Sequence, residues 1–216
     1  MKIYHGSELI IENPSLEKGK PYNDFGQGFY TTLDKELAEE WACQNNTIGY
    51  VNEYELDDSE LKILDLTSNE YSLLHWIALL LKHRKFNLKN SVVESYKNEF
   101  LKKYLIDISN YDVVIGYRAD DSYFSYASSF VSNSIPYSVL KKAMKLGNLG
   151  TQVVLVSFKA FSHLKYVGNE MVDNNIYYSK FFSRDTSARM EYKKIATSFR
   201  LKQSDKFILD FIKEKK

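Results

Sequence analysis

The chain reads Tyr4-His5-Gly6-Ser7 near its start and, soon after, Asp24-Phe25-Gly26-Gln27-Gly28-Phe29-Tyr30-Thr31-Thr32. Aromatic and β-branched residues predict short strands over Lys2–Tyr4 and Gly28–Leu33. The segment between them is rich in turn formers, such as Asn13-Pro14 and Pro21, and predicts a loop over residues 12–26. A histidine turn and a glycine-flanked aromatic strand therefore lie close together in the sequence.

Further strands and helices are predicted along the rest of the chain. Asp34 is suited to cap a helix whose one face carries Leu37, Ala38, Trp41 and Ala42. Apolar and β-branched runs predict strands over 50–56, 61–66, 112–116 and 152–158, with a weaker edge strand over 177–182. Apolar periodicity predicts helices over 73–81, 92–105, 134–146 (ending at Gly147), 160–164, 187–199 and 204–215.

These elements together predict an α+β fold with one core. The two helices within about residues 69–106 are flanked by strands on both sides, which indicates a helical insertion. We expect one domain over residues 1–170, with residues 171–216 as a C-terminal helical extension packed on it.

The composition narrows the class of protein. The chain has 216 residues and a formal net charge of +1, so no strong positive field points to nucleic acid. Cys43 is the single cysteine and the start has no secretory apolar region, which is typical of a cytoplasmic protein. No apolar run is long enough to span a bilayer, so no membrane contact is expected. The four histidines show no paired ligand spacing, and no metal site is expected.

The His-Gly-Ser turn and the Gly-x-Gly-aromatic-Tyr strand resemble the nicotinamide clamp of ADP-ribosyltransferases, in the branch that includes the poly(ADP-ribose) polymerases. Over residues 1–170 the chain also resembles a group of uncharacterised bacterial proteins that share these motifs and a late glutamine. The resemblance implies an ADP-ribosyltransferase-like fold with a split, mixed β-sheet. It also implies that the chain binds NAD and breaks the bond between nicotinamide and ribose.

The resemblance assigns roles to residues of both motifs. His5 would contact the nicotinamide ribose, Gly6 would present its backbone to the carboxamide, and Ser7 would add a hydrogen bond. Tyr30 would lie against the nicotinamide ring, with Gly28 and Thr31 beside it on the same strand. On its own, a histidine after a strand is more often a core or surface residue.

Trp41 lies eleven residues after Tyr30, the spacing at which the resembled family places the second aromatic of its sandwich. The same residue also fits the apolar face of a helix, so two interpretations stay open: a core anchor, or a ring that stacks on nicotinamide.

Gln152 occupies the position of the glutamate that the resembled family uses to bond the ribose 2′-hydroxyl. A glutamine side chain can bond a hydroxyl, but it carries no negative charge and cannot act as a general base. The departure favours mono-transfer, slow turnover or binding alone over polymer building.

One acidic position, Asp120, is a candidate for the missing charge. Asp120, followed by Asp121, comes after a buried-type strand, and the pair is interpreted either as the edge of a site or as a solvated turn. Asp24 precedes the Gly-x-Gly and is expected to orient that loop, contact the adenosine side or cap the turn.

We therefore expect an NAD-dependent mono-ADP-ribosyltransferase, of the kind found among bacterial toxins and defence effectors. Its expected partners are NAD as substrate, an unknown protein or nucleic-acid acceptor, and a small antitoxin partner of the type that toxin genes sit beside. A catalytically silent NAD- or ADP-ribose-binding module of the same fold is the alternative. A metal-dependent nuclease using Asp120 and Asp121 ranks below both, because no ligand spacing supports it.

Overall fold

Two open β-sheets form the centre of the computed structural model, which describes residues 1–43, 47–87, 92–119, 121–146 and 150–214. The strands are β1 (Lys2–Ser7), β2 (Phe29–Thr31), β3 (Gly49–Leu56), β4 (Ile63–Asp65), β5 (Val113–Tyr117), β6 (Thr151–Leu155) and β7 (Leu164–Val172). The helices are α1 (Lys35–Ala42), α2 (Leu73–His83), α3 (Val92–Tyr104), α4 (Asp121–Val131), α5 (Tyr137–Ala143), α6 (Phe158–Ser162), α7 (Asn174–Ser198) and α8 (Ile208–Lys213). The predicted α+β class is confirmed.

The first sheet has the order β1-β3-β7 with antiparallel neighbours, and the second has the order β2-β6-β5-β4. In the second sheet only β4 and β5 run parallel among the described pairings, and helices α2 and α3 provide the crossover that parallel neighbours require. The helical insertion expected near residues 69–106 lies in this crossover.

The two sheets meet where β1 passes the end of β2. Tyr4 donates its N–H to the Thr32 carbonyl at 2.8 Å, and Thr32 donates in return to Tyr4 at 2.9 Å. The prediction of a turn at His-Gly-Ser is wrong, because His5, Gly6 and Ser7 continue β1 and pair with β3. The bridge brings this end of β1 against β2. Backbone hydrogen bonds between Tyr4, the first residue of one motif, and Thr32, the last residue of the other, therefore join the two motifs.

Successive side chains of β6 point to opposite faces of the sheet and so belong to two different clusters of the hydrophobic core. Val153 and Leu155 face a cluster between the two sheets that includes Ile3, whereas Val154 faces a larger cluster formed with the helices. Trp76 of α2 lies in the larger cluster, fully buried, and its indole N–H donates to the Tyr117 carbonyl at 2.8 Å. Helix α8 closes the same cluster through Ile208.

Helix α1 begins where the sequence predicts it. The Asp34 carboxylate accepts from the N–H groups of Glu36 at 2.9 Å and Leu37 at 3.4 Å, which satisfies free donors of the first turn. The buried face of α1 packs Ala38 and Ala42 over β3. Trp41 lies beside this face, half-buried.

The prediction of an edge strand over residues 177–182 is wrong. These residues belong to α7, which the Asp173 carboxylate caps by accepting from the Asn175 N–H at 2.9 Å. Aromatic residues raise β propensity, but the cap and the helical residues that follow outweigh it. The edge strands of the first sheet are β1 and β7. The helix predicted over 187–199 is the second half of α7.

Helix α4 is not predicted by the sequence pattern, because its serines weaken helix propensity. Here three of them bond carbonyls of the preceding turn: Ser125 to Ser122 at 2.6 Å, Ser128 to Phe124 at 2.7 Å and Ser129 to Ser125 at 3.0 Å. Gly147, the predicted cap of the helix over 134–146, lies outside the described residues. Across the described part of the chain, no helix is both long and apolar enough to cross a bilayer.

Candidate functional site

A cleft of about 810 Å³ opens where the two sheets meet. Its walls come from β1, the loop before β2, and α1, closed by the ends of α2 and β5 and by one side of α7. Seven of the residues singled out from the sequence line it: His5, Gly6, Ser7, Gly28, Tyr30, Trp41 and Gln152. Thr31 does not, and Asp120 lies outside the described residues.

The imidazole of His5 is fixed in one orientation. Its Nδ1 lies 2.7 Å from the Tyr30 carbonyl, and its ring packs on Phe29 with centroids 4.6 Å apart. A carbonyl only accepts, so Nδ1 carries the proton and donates, which leaves Nε2 as an acceptor. Burial lowers the pKa of His5, while the bond to Tyr30 raises it less. At neutral pH His5 is therefore an uncharged acceptor at the cleft wall.

Two hydrogen bonds hold the hydroxyl of Tyr30. Its hydroxyl donates to the Gly26 carbonyl at 2.8 Å and accepts from the Phe25 N–H at 3.0 Å. Gly26 has φ of 80°, a conformation that a side chain disfavours. Burial raises the pKa of the Tyr30 phenol, so it stays protonated. These two hydrogen bonds fix the ring of Tyr30, a residue that lines the cleft and packs against the larger core cluster.

Trp41 meets the cleft beside a cation. The Arg118 guanidinium carbon lies 4.3 Å from the Trp41 ring centroid, a cation–π contact. The indole Nε1 of Trp41 is buried and has no hydrogen-bond partner among the described residues. A planar ligand stacked on Trp41 would have to use the opposite ring face or displace Arg118.

Gln152 and Asp24 form a buried polar pair at the base of the cleft. Gln152 Nε2 donates to Asp24 Oδ2 at 3.0 Å and to the Tyr117 carbonyl at 3.2 Å. Asp24 also accepts from the Ala119 N–H at 2.7 Å and from Arg84 at 2.9 Å. Burial raises the pKa of Asp24, and the Ala119 hydrogen bond, Arg84 and Gln152 oppose this shift.

Sequence reasoning did not single out Asp24 as the site's carboxylate. Its partners Arg84, Ala119 and Gln152 lie 60, 95 and 128 positions away along the chain. The local signal was its place before the Gly-x-Gly, and that signal equally fits a capped turn. Only the folded chain brings the three donors to it.

The glycines and hydroxyls have structural partners. A Cβ on Gly6 would lie 1.9 Å from the Ala38 carbonyl oxygen of α1, and one on Gly28 would lie 2.7 Å from Val154 Cγ1. The Ser7 hydroxyl donates to the Leu9 carbonyl at 2.5 Å. Thr31 is buried, and its hydroxyl donates to the Val153 carbonyl at 2.6 Å, away from the cleft. Gly6 is thus required by helix packing, whatever the cleft binds.

The side chains that line the cleft carry more positive than negative charge. Four cations line it, namely Lys18, Lys20, Arg84 and Arg118, against the carboxylates Asp24 and Asp185. Asp185 comes from α7 and is held by Ser122 and by Arg189, the latter at 2.7 Å. Such a balance suits a ligand that carries phosphates. Within the described ranges, no three His, Cys, Asp or Glu side chains are grouped to hold a metal ion.

Comparison with known proteins gives one match. The sequence model of a family described as a protein of unknown function (DUF3990) matches residues 1–166 of the chain. This match includes every strand up to the start of β7 and ends before α7 and α8. No curated protein matches the chain. No solved structure matches it either.

Proposed function

We propose that this chain, which belongs to the DUF3990 family, is an NAD-dependent mono-ADP-ribosyltransferase. In this proposal its two sheets form the split sheet of the ADP-ribosyltransferase-like fold, and the cleft between them binds NAD. The enzyme breaks the bond between nicotinamide and ribose and passes ADP-ribose to a protein or nucleic-acid acceptor. A role as a bacterial toxin or defence effector, with an antitoxin partner, remains part of the same proposal.

The observation that carries the proposal is the convergence of distant residues. His5, Tyr30, Trp41 and Gln152 were chosen from sequence motifs alone, and all four line one cleft. The fixed imidazole and phenol rings provide an acceptor for a ribose hydroxyl and an aromatic surface for the pyridine ring. The cations of the cleft are suited to the diphosphate.

The chemistry requires that positive charge be tolerated at the ribose. When the C1′–N bond breaks, its electron pair goes to the nicotinamide ring, and the ribose becomes oxocarbenium-like until the acceptor attacks C1′. An uncharged His5 adds no cation there, because its pKa is lowered by burial. The Asp24 carboxylate, hydrogen-bonded to Gln152 in the cleft wall, adds a negative charge on the same side of the cleft.

Incubation with NAD labelled in the adenylate half tests the proposal. We expect nicotinamide release and transfer of label, both lost in His5→Ala and Tyr30→Ala. The matched controls are His163→Ala and Tyr96→Ala, which do not line the cleft. NAD left intact at high enzyme concentration, with and without a cell extract as acceptor source, would contradict the proposal.

The alternative is a module that binds NAD or ADP-ribose without turnover. The observation that favours it is the neutral Gln152 at the position where the resembled enzymes have a glutamate. Calorimetry that shows NAD binding to the unmodified protein, without nicotinamide release over hours, would select this alternative.

A further inference from the structure

We propose that Asp24 is a positioning residue that orients the Gln152 amide and supplies the negative charge that Gln152 lacks. The inference rests on the proposed function, because it describes how the same cleft treats a ribose hydroxyl. A single glutamate would bond the ribose hydroxyl and provide the negative charge; here Gln152 would bond the hydroxyl, and Asp24, 128 positions away in the sequence, would provide the charge.

The orientation of the Gln152 amide follows from its neighbours. An Asp24 carboxylate oxygen and the Tyr117 carbonyl both accept hydrogen bonds, at 3.0 Å and 3.2 Å from the same Gln152 nitrogen. Only the NH₂ end of the amide can satisfy two acceptors, so the flipped amide is excluded. Gln152 Oε1 is left as the free acceptor of a cleft-lining residue, with no hydrogen-bond partner among the described residues.

The Asp24 carboxylate is itself held by donors on both oxygens. Arg84 bonds Oδ1 at 2.9 Å, while the Ala119 N–H bonds Oδ2 at 2.7 Å beside Gln152. Burial raises the pKa of Asp24 above its ordinary value, but the Ala119 N–H, the Arg84 guanidinium and the Gln152 amide all donate to this carboxylate and favour its charged form. The same donors fix its position. Gln152 and the negatively charged Asp24 therefore lie side by side in the cleft wall, and the charge of Asp24 aligns the Gln152 amide dipole.

The same geometry explains why a glutamine suits position 152 in this chain. A glutamate would place a second carboxylate about 3 Å from Asp24 and against the Tyr117 carbonyl. Two buried carboxylates this close cannot both ionise without strong repulsion. In this site, restoring the glutamate should therefore weaken the arrangement.

Four proteins test the inference: the unmodified chain, Asp24→Asn, Gln152→Glu and the double variant Asp24→Asn/Gln152→Glu. In the double variant an amide faces a carboxylate again, with the charge moved to position 152. We expect Gln152→Glu to lower kcat for nicotinamide release from NAD at least tenfold with a smaller change in KM. The double variant should recover at least tenfold of that loss. Asp107→Asn, an exposed carboxylate far from the cleft, is the control and should leave both constants unchanged.

Denaturation of the same four proteins separates this inference from the proposed function. If the unmodified chain neither binds nor cleaves NAD, the proposed function fails. A non-additive effect of the two substitutions on the urea midpoint would then still support the Asp24–Gln152 link. Two results overturn the inference: additive midpoints in that cycle, or a Gln152→Glu enzyme at least as active as the unmodified chain.

Discussion

Substitution of Gly6 by alanine is the sharpest test of how the cleft wall is built. A Cβ at this position would lie 1.9 Å from the Ala38 carbonyl oxygen and 2.8 Å from the Ala42 nitrogen, whereas real Cβ atoms essentially never approach other heavy atoms within 3.0 Å. Both contacts are with backbone atoms of α1, which no side-chain rotation can relieve. Helix α1 would have to withdraw from β1 by about 1 Å and open the small cluster around Ala38, Ala42 and Val51.

The magnitude follows from two opposing effects. Forced overpacking costs about 1–3 kcal/mol, and a backbone clash belongs at the upper end of that range. Replacing glycine within a strand returns about 0.5–1 kcal/mol through the unfolded chain. The net loss of about 2 kcal/mol corresponds to a fall in Tm of about 4–8 °C for a chain of this size.

Gly168 provides the matched control. It lies in β7 of the same sheet, and no atom lies within 4 Å of the Cβ that an alanine would add. Differential scanning calorimetry should therefore show Gly6→Ala melting well below Gly168→Ala, which should melt at or above the unmodified chain. Equal melting temperatures of the two variants would refute the packing argument. A lower melting temperature of Gly6→Ala would also explain a loss of its activity by distorted packing, without a lost contact to a ligand.

Three further predictions concern charge and burial. Arg184→Ala should cost about 3–5 kcal/mol in urea denaturation, because Glu40 would keep a buried charge without its Arg184 partner. The exposed pair of Lys180 with Glu36 should lose less than about 1 kcal/mol in Lys180→Ala, and equal losses would contradict this reasoning. Because the pKa of His5 is lower in the folded than in the unfolded chain, the neutral ring contributes its full share of the free energy of unfolding above about pH 6.5, the ordinary pKa of histidine. This contribution is lost as the pH falls from there through the pKa of His5 in the folded chain. Urea midpoints between pH 8 and pH 5 should fall more for the unmodified chain than for His5→Gln; parallel curves would count against burial of the ring. Cys43 is fully buried and burial raises the pKa of its thiol, so a thiol-specific dye should react only after urea is added. Rapid labelling of the folded protein would show that α1 opens readily.

The sequence predicted secondary structure correctly where one local signal, such as a helix cap or a β-branched run, was not opposed by another. Asp34 before an amphipathic segment predicted the start of α1, and the β-branched run that includes Val153, Val154 and Leu155 predicted a strand. The structure buries this strand on both faces. The resemblance to ADP-ribosyltransferases also implied that His5 and Tyr30 lie at a common site, and both residues line the cleft.

Local rules failed where tertiary packing decided the outcome. The aromatic segment over 177–182 has β propensity but forms part of α7, because Asp173 caps the helix and α7 lies on α1 through Arg184 and Glu40. The serines of α4 obscured a helix that is stabilised by burial of residues such as Tyr126 and Phe130.

For the site, the sequence by itself determined which residue types were available, and its resemblance to ADP-ribosyltransferases predicted that two motifs would meet. Only the tertiary structure decided that Asp24 bonds Gln152, that Arg118 covers a face of Trp41, and that Gly6 is required by α1. The physical reason is distance along the chain. A hydrogen bond or close packing between residues up to 128 positions apart leaves no periodic or local mark in the sequence, so it exists only once the backbone between them is folded.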